Sequence, residues 1–154
     1  MNLIIFSGIL SSVLVSIICY YRLYKKRLLF DNRYAMTISM TSAMIISLTL
    51  SMQYSFISSL PFEATASAMI FLGMMVGIAF GVLVRLHSVL SGISAGVTGG
   101  LMGTMVGSVI KNPSLCGLPM DSQRILLVDM AAFTIFGTMI LFITMGLILF
   151  SLKV

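Results

Sequence analysis

Charged residues are scarce in this chain. Only 8% of its 154 residues are Asp, Glu, Lys or Arg, and the mean hydropathy is +1.14. A water-soluble domain carries about 25% charged residues, which it needs to cover its surface. The composition therefore excludes a soluble domain, and the apolar segments described below occupy so much of the chain that none fits beside them. The lipid bilayer is the expected environment.

Cysteine, histidine and tryptophan are equally rare. The chain has two cysteines, Cys19 and Cys116, one histidine, His87, and no tryptophan. The cysteines are far apart and show no CxxC or Cys/His spacing, so they form no metal or redox motif. The sequence also lacks an HExxH pattern, a phosphate-binding loop and a Ser/His/Asp set. We therefore predict a protein that is not an enzyme and that binds no cofactor.

Long apolar runs fill most of the sequence. A bilayer core needs about 20 apolar residues per helix, and five segments meet this length: residues 3–21, 34–58, 64–84, 89–110 and 125–152. We predict an all-α bundle of five transmembrane helices in a single domain over residues 1–154. A break is required at Arg85–Ser88, because one helix from 64 to 110 would be about 70 Å long, twice a bilayer. Ser88 is the expected N-cap of the fourth helix.

The positive charges predict an orientation. The net charge is +5, and the basic residues gather beside the first apolar segment, which does not indicate nucleic-acid binding. Cytoplasmic loops of membrane proteins are rich in Lys and Arg. With the amino terminus outside, the outer side holds only Lys111 and Arg124, and the cytoplasmic side holds Arg22, Lys25, Lys26, Arg27, Arg33, Arg85 and Lys153. We predict a multi-pass protein of the cell membrane with a cytoplasmic carboxyl terminus.

Glycine, by contrast, is abundant and regularly spaced. Nine of the 13 glycines are Gly73, Gly77, Gly81, Gly92, Gly96, Gly99, Gly100, Gly103 and Gly107. In lipid, small residues four apart mark faces where two helices touch. The fourth helix carries two adjacent stripes of this kind, so we expect it to contact two partners. The fifth helix has only Gly137 and Gly146, so we expect it to face lipid.

Helix 2 carries a related stripe of alanine and serine, which includes Ser39, Ser47, Ser51 and Ser55 at four-residue spacing. The glycine pattern that ends at Gly99–Gly107 resembles small membrane proteins of Gram-positive bacteria to which no activity is assigned. The resemblance covers helices 3 to 5. It implies a bacterial cytoplasmic membrane and adds no activity.

Two charges are candidates for function. Arg85 continues the face of Gly73, Gly77 and Gly81, and charges within a membrane are often functional. The interpretation we favour is that Arg85 extends to the cytoplasmic interface and sets orientation. Asp129 lies in the first turns of helix 5, where it can pair with Arg124 or Lys111 or favour the helix amino terminus. The alternative is an ion or proton ligand at the outer surface.

Met36, Met40 and Met44 form an MxxxMxxxM pattern on helix 2. Thioethers are soft ligands that suit Cu(I). Together with the GxxxG repeats, this pattern resembles three-span copper transporters, which implies a copper site at these methionines. Methionine also fills gaps between apolar helices. We favour this second interpretation and predict no bound metal.

Two classes of function follow. The first is a structural or accessory membrane protein that associates with itself or with another membrane protein through its glycine faces. The second is a small channel or transporter for an ion or small solute, with the helix 2 hydroxyls and Asp129 along its path. The position of the serine stripe discriminates between them. A stripe that faces a hydrated cavity favours transport, and a stripe packed dry against glycine favours the structural role.

Overall fold

The computed structural model describes residues 2–26, 32–58, 60–83, 86–112 and 123–151. These residues form five helices: α1 (Asn2–Lys26), α2 (Asn32–Ile57), α3 (Phe62–Val82), α4 (Leu86–Lys111) and α5 (Gln123–Ser151). All five are long and apolar enough to cross a membrane, and the described residues contain no strand. The predicted all-α bundle is therefore confirmed, and the chain has the architecture of a multi-pass membrane protein.

The helix ends differ from the predicted spans. α1 continues to Lys26, so Arg22 and Lys25 lie in the helix and not in a connection. Hydropathy locates the apolar part of a helix, whereas Lys and Arg are good helix formers that extend it past the apolar part. α4 begins at Leu86, within the predicted break, so the N-cap predicted at Ser88 is wrong. Ser88 is buried in the first turn, and its hydroxyl contacts that of Ser39 at 2.6 Å.

α2, α3 and α4 form what we call the central unit. α3 and α4 are antiparallel: Gly92 lies against Gly77, and four residues further along α4, Gly96 lies against Gly73. The small residues allow the two backbones to touch. The sequence required a reversal between these two spans, and α3 ends at Val82 and α4 begins at Leu86, slightly earlier than the predicted break at Arg85–Ser88.

α4 runs parallel to α2 on its other side. Gly99 lies against Ser47, and four residues further along both helices, Gly103 lies against Ser51. The expectation that helix 4 contacts two partners is thus confirmed. Because α2 and α3 cover α4 from two sides, the small-residue contacts run through the middle of the central unit.

α1 and α5 form what we call the outer layer. Large side chains join this layer to α2, among them Cys19 and Leu23 of α1 and Leu141 and Met145 of α5, which cluster with Ile46. Of the α2 span 56% is buried, against 22% of the spans in α1 and α5. Most of α5 thus lies at the surface of the bundle, as expected of a helix that faces lipid, and so does most of α1.

α1 is antiparallel to α2, since Gly8 lies beside Gln53 and Leu23 shares a cluster with Ile38. We call the end of the bundle at which α1 begins, α2 ends, α3 begins and α4 ends the amino-terminal end.

Candidate functional site: a glycine–serine interface and a polar cavity

The α3–α4 contact is made by backbone atoms. A methyl group placed on Gly92 would lie 2.5 Å from the Gly77 carbonyl oxygen, and one on Gly73 would lie 2.9 Å from the Gly96 carbonyl carbon. Real side chains do not approach other atoms within 3.0 Å in this way. Any residue larger than glycine must therefore separate the two helices. The requirement extends to Gly100, where a methyl group would meet the Met69 carbonyl oxygen at 2.7 Å.

The α2–α4 contact uses the second glycine stripe. A methyl group on Gly99 would lie 2.5 Å from the Met44 carbonyl oxygen, and one on Gly107 would lie 2.6 Å from Ser55 Cβ. Gly103 fits between the Leu48 carbonyl group and the Ser51 hydroxyl group. The serine side chains of α2 thus occupy the space that side chains would fill if the α4 glycines were larger residues.

The serine hydroxyls in this interface are satisfied within their own helix. Ser47 donates to the Met44 carbonyl at 3.1 Å, and Ser55 donates to the Ser51 carbonyl at 2.8 Å. Ser51 donates to Leu48 at 3.1 Å and also reaches the Gly99 carbonyl of α4 at 3.5 Å. Because serine can bond to the preceding turn in this way, it needs no water when it is buried. The separations leave no room for a water file between α2 and α4.

A second polar cluster lies between α2 and the outer layer, and the sequence analysis did not single it out. Gln53 is fully buried, beside the buried hydroxyl side chains of Ser12 and Thr134. The Ser12 hydroxyl lies 3.1 Å from Gln53 Oε1 and 2.9 Å from the Ile9 carbonyl, although it has one proton to donate. The sequence feature that could have indicated this cluster is one glutamine within an otherwise apolar and hydroxyl-bearing helix.

Gln53 Nε2 has no hydrogen-bond partner among the residues that the structure describes. A half-turn of the amide group exchanges Oε1 and Nε2 at no cost in packing. Nε2 then donates to Ser12, and Ser12 keeps the Ile9 carbonyl. Part of the amide stays unpaired in either orientation, which is costly where water cannot reach it.

A polar cavity of about 200 Å³ opens at the amino-terminal end of the bundle. Its hydroxyl groups come from all three helices of the central unit and the α2–α3 connection: Ser55, Ser58, Thr65, Thr104 and Ser108. Lys111 and Asn112 line it as well, and the Lys111 ammonium group donates to the Ser58 carbonyl. The sequence predicts Lys111 on the outer side. It does not predict the cavity, because the residues that line the cavity are far apart in the chain.

Of the two charges that the sequence singles out, the structure describes Asp129. Arg85 lies outside the described residues, and Asp129 is exposed on α5. Lys111, one of the partners suggested for Asp129, bonds to Ser58 instead. The side chain of Arg124, the other suggested partner, lies outside the described part of the structure.

The three methionines of the MxxxMxxxM pattern on α2 differ in exposure. Met36 and Met40 are 40% and 45% exposed, and Met44 is half-buried beside α4. Among the described residues, no group of three or more His, Cys, Asp or Glu side chains is placed to hold a metal ion. Met36 and Met40 are thus surface side chains, and Met44 is partly covered.

The fold and these contacts define a multi-pass membrane protein whose central helices touch through their backbones. Comparison with protein-family models, with curated proteins and with solved structures finds no match for the chain. Its function must therefore be argued from the geometry described above.

Proposed function

We propose that this protein is a structural or accessory component of the cell membrane, which acts by associating with itself or with another membrane protein. One observation carries this proposal: the serines of α2 pack against the glycine backbone of α4. This contact is the dry arrangement that distinguishes a packing stripe from a conducting one. A path for solute through the central unit would require α2 and α4 to separate.

The association surface differs from the one expected from the sequence. The glycine faces are occupied by contacts within the chain, since Gly73 meets Gly96 and Gly99 meets Met44. A partner must therefore use another surface. Only if the central unit opened could the glycine faces receive a second protein.

The outward face of α4 offers such a surface. Ser94 and Thr98 lie near the middle of this helix and are exposed. Both hydroxyls bond within α4, Ser94 to the Ser91 carbonyl at 2.9 Å and Thr98 to the Ser94 carbonyl at 3.0 Å. Lipid-facing positions at the middle of the neighbouring helix α3 are large, as at Phe71 and Met75. Small residues on a lipid-facing stripe let a second helix approach closely.

Association can be tested by measuring the mass of the purified protein and of any copurifying membrane protein in lipid nanodiscs. We expect Ser94→Leu and Thr98→Leu to reduce assembly and to leave thermal stability unchanged. Ser67→Leu is the matched control, because Ser67 is an exposed serine of α3 whose hydroxyl bonds to the Ala64 carbonyl of its own helix. A lone monomer for the unmodified protein, or equal assembly of all variants, would contradict this surface.

We further propose that the amino terminus lies outside a bacterial cytoplasmic membrane. The support is that Arg22 and Lys25 are exposed at the carboxyl end of α1, opposite the amino-terminal end of the bundle. In a variant in which Cys19 and Cys116 are replaced by serine, cysteines placed at Leu60 and Lys25 should then differ in intact cells. A reagent that does not cross membranes should label position 60 alone, and the reverse result would overturn the orientation.

A small channel or transporter is the second candidate, and the polar cavity at the amino-terminal end favours it. Ser55 and Thr104 line the part of the cavity that is deepest in the bundle, and Gly107 packs against Ser55. Lys111 places a positive charge at its wall, which disfavours cations. A passage through this point would therefore suit an anion or a neutral solute, and flux of such solutes into liposomes tests it.

A further inference from the structure

The polar cavity at the amino-terminal end carries a positive charge without a carboxylate among its described lining. Lys111 is half-buried there, and the nearby carboxylate of Glu63, in the first turn of α3, is exposed and does not line the cavity. One N–H of the ammonium group goes to the Ser58 carbonyl. An ammonium group has three N–H donors, so two stay available for another acceptor. The charge and these donors suit an anion.

The hydroxyl groups of the cavity can adapt to such a ligand. Thr104 donates to the Leu101 carbonyl at 2.8 Å, and Ser108 donates to the Met105 carbonyl at 2.9 Å. Those carbonyls belong to the interior of α4 and already have backbone partners, so each hydroxyl can turn away without leaving an unpaired group. A hydroxyl proton rotates freely about its bond. Thr104, Ser108 and Lys111 can therefore donate together to one group of oxygens.

The helix ends around the cavity account for the position of Lys111. α2 and α4 both end here, and the partial negative charge of a helix carboxyl end favours a cation. Lys111 supplies that cation and donates a hydrogen bond to the Ser58 carbonyl. α3 begins at the same place with Pro61 before it, and its amino end has no side-chain cap. The amino end of a helix favours an anion. The cation of Lys111 therefore lies at the carboxyl ends of α2 and α4, and a bound anion would be favoured at the amino end of α3.

The volume of the cavity and its apolar lining residues indicate the class of ligand that it can bind. Its volume of about 200 Å³ is below the roughly 300 Å³ at which pockets for drug-sized molecules begin. Leu60 and Phe62 are large apolar residues that line the cavity and are also exposed. Leu60 lies just after the candidate span of α2 and Phe62 begins that of α3, and the ends of spans are expected at the level of the lipid headgroups. A small oxyanion fits this cavity, and an apolar group attached to the oxyanion could lie against Leu60 and Phe62.

We propose that this cavity binds a phosphate group, held by Lys111, Thr104 and Ser108, which belongs either to an anionic phospholipid or to free inorganic phosphate. The two sources share the oxyanion and differ in the acyl chains that would lie against Leu60 and Phe62. This site is separate from the association surface on α4. Its occupancy and the assembly of the protein are measured independently, so either proposal can fail alone.

The test uses the full chain, purified in a neutral detergent. Phosphatidylglycerol, phosphatidylcholine and inorganic phosphate are titrated separately at constant ionic strength, and the unfolding temperature and the lipid retained in native mass spectrometry are measured. We expect Lys111→Gln to weaken binding about tenfold or more, since charge-assisted hydrogen bonds are the strong ones. Lys111→Arg should retain most of the binding. Lys25→Gln is the control, because Lys25 is an exposed lysine near the opposite end of the bundle.

Each outcome decides the proposal. Stabilisation by phosphatidylglycerol but not by phosphate or phosphatidylcholine assigns the site to a lipid, and stabilisation by phosphate assigns it to the free anion. If neither stabilises the protein, or if Lys25→Gln loses as much binding as Lys111→Gln, the proposal is overturned. Should Lys111→Gln fail to fold, Ser108→Ala keeps the Lys111–Ser58 bond and must still weaken binding. Unchanged binding in that variant would equally overturn it.

Discussion

In the central unit the backbone of α4 touches those of α2 and α3, whereas the outer layer reaches α2 through large side chains. Gly73 and Gly96 leave no space for a methyl group, whereas a methyl group on Gly146 of α5 would meet no atom within 4 Å among the described residues beyond its own stretch of helix. The two regions therefore respond differently to added volume. A methyl group added between two backbones meets atoms that cannot rotate out of its way. A methyl group added on the surface that faces lipid displaces only lipid.

The regions also differ in how they treat buried polar groups. Most hydroxyls in the central unit bond within their own helix, as Ser47 and Ser55 do, and the Ser39–Ser88 pair is a direct bond between α2 and α4. The outer layer instead buries the amide of Gln53, which the described residues satisfy only in part. Along the glycine stripes of the central unit, small size decides the pairing more than polar contacts do. Between α2 and the outer layer, Gln53 adds a polar contact with α1 to the apolar contacts that join these helices.

The largest effect is expected from single methyl groups in the central unit. Gly96→Ala and Gly103→Ala should each lower stability by about 1–3 kcal/mol, the usual cost of overpacking, because the nearest atoms are backbone or a packed serine. Gly146→Ala should leave the unfolding temperature unchanged or slightly raised. Thermal unfolding in one detergent measures all three variants. Similar losses at Gly96, Gly103 and Gly146 would remove the distinction between the two regions.

A smaller effect of opposite sign is expected at Gln53. Gln53→Met keeps the length of the side chain and removes the partly unpaired amide, so stability should be unchanged or rise by up to about 1 kcal/mol. Ser12→Ala should cost about 1 kcal/mol in the unmodified protein and nothing in the Gln53→Met background. A double-mutant cycle in detergent measures this coupling. A large loss in Gln53→Met alone would show that the amide has a partner that stabilises it.

The smallest effect is expected from the serine stripe. Ser47→Ala and Ser51→Ala keep a small side chain against Gly99 and Gly103, and an interhelical hydrogen bond in a membrane averages about 0.6 kcal/mol. Stability should therefore change by no more than this at each site. Solute flux in liposomes should not change either. Reduced flux with unchanged stability would instead show that α2 lines a conducting path.

The sequence predicted much of the fold and little of the candidate sites. Hydropathy and length predicted five spans, and the double glycine stripe predicted that α4 has two neighbours, because a helix face can be derived from local spacing. Ser88 was misplaced, since helix caps depend on where the chain leaves the helix. For Lys111 the sequence predicted an outer charge and a possible pairing with Asp129. Its cavity combines the ends of three helices, and no local pattern contains that information.

The sequence by itself determined that the chain crosses a membrane, about where each span lies and which helix faces are small. These properties depend on neighbouring residues and on the thickness of the bilayer, so they are fixed before any helix packs. Only the tertiary structure decided that the glycine faces close on one another within the chain, with α4 antiparallel to α3 and parallel to α2. The same packing placed Gln53 beside Ser12 and Lys111 beside Ser58. Such contacts depend on which helix faces pair and in which register, and these are decided between residues far apart in the sequence. The physical reason is that faces of small residues can approach one another closely, whereas faces of large residues remain in lipid.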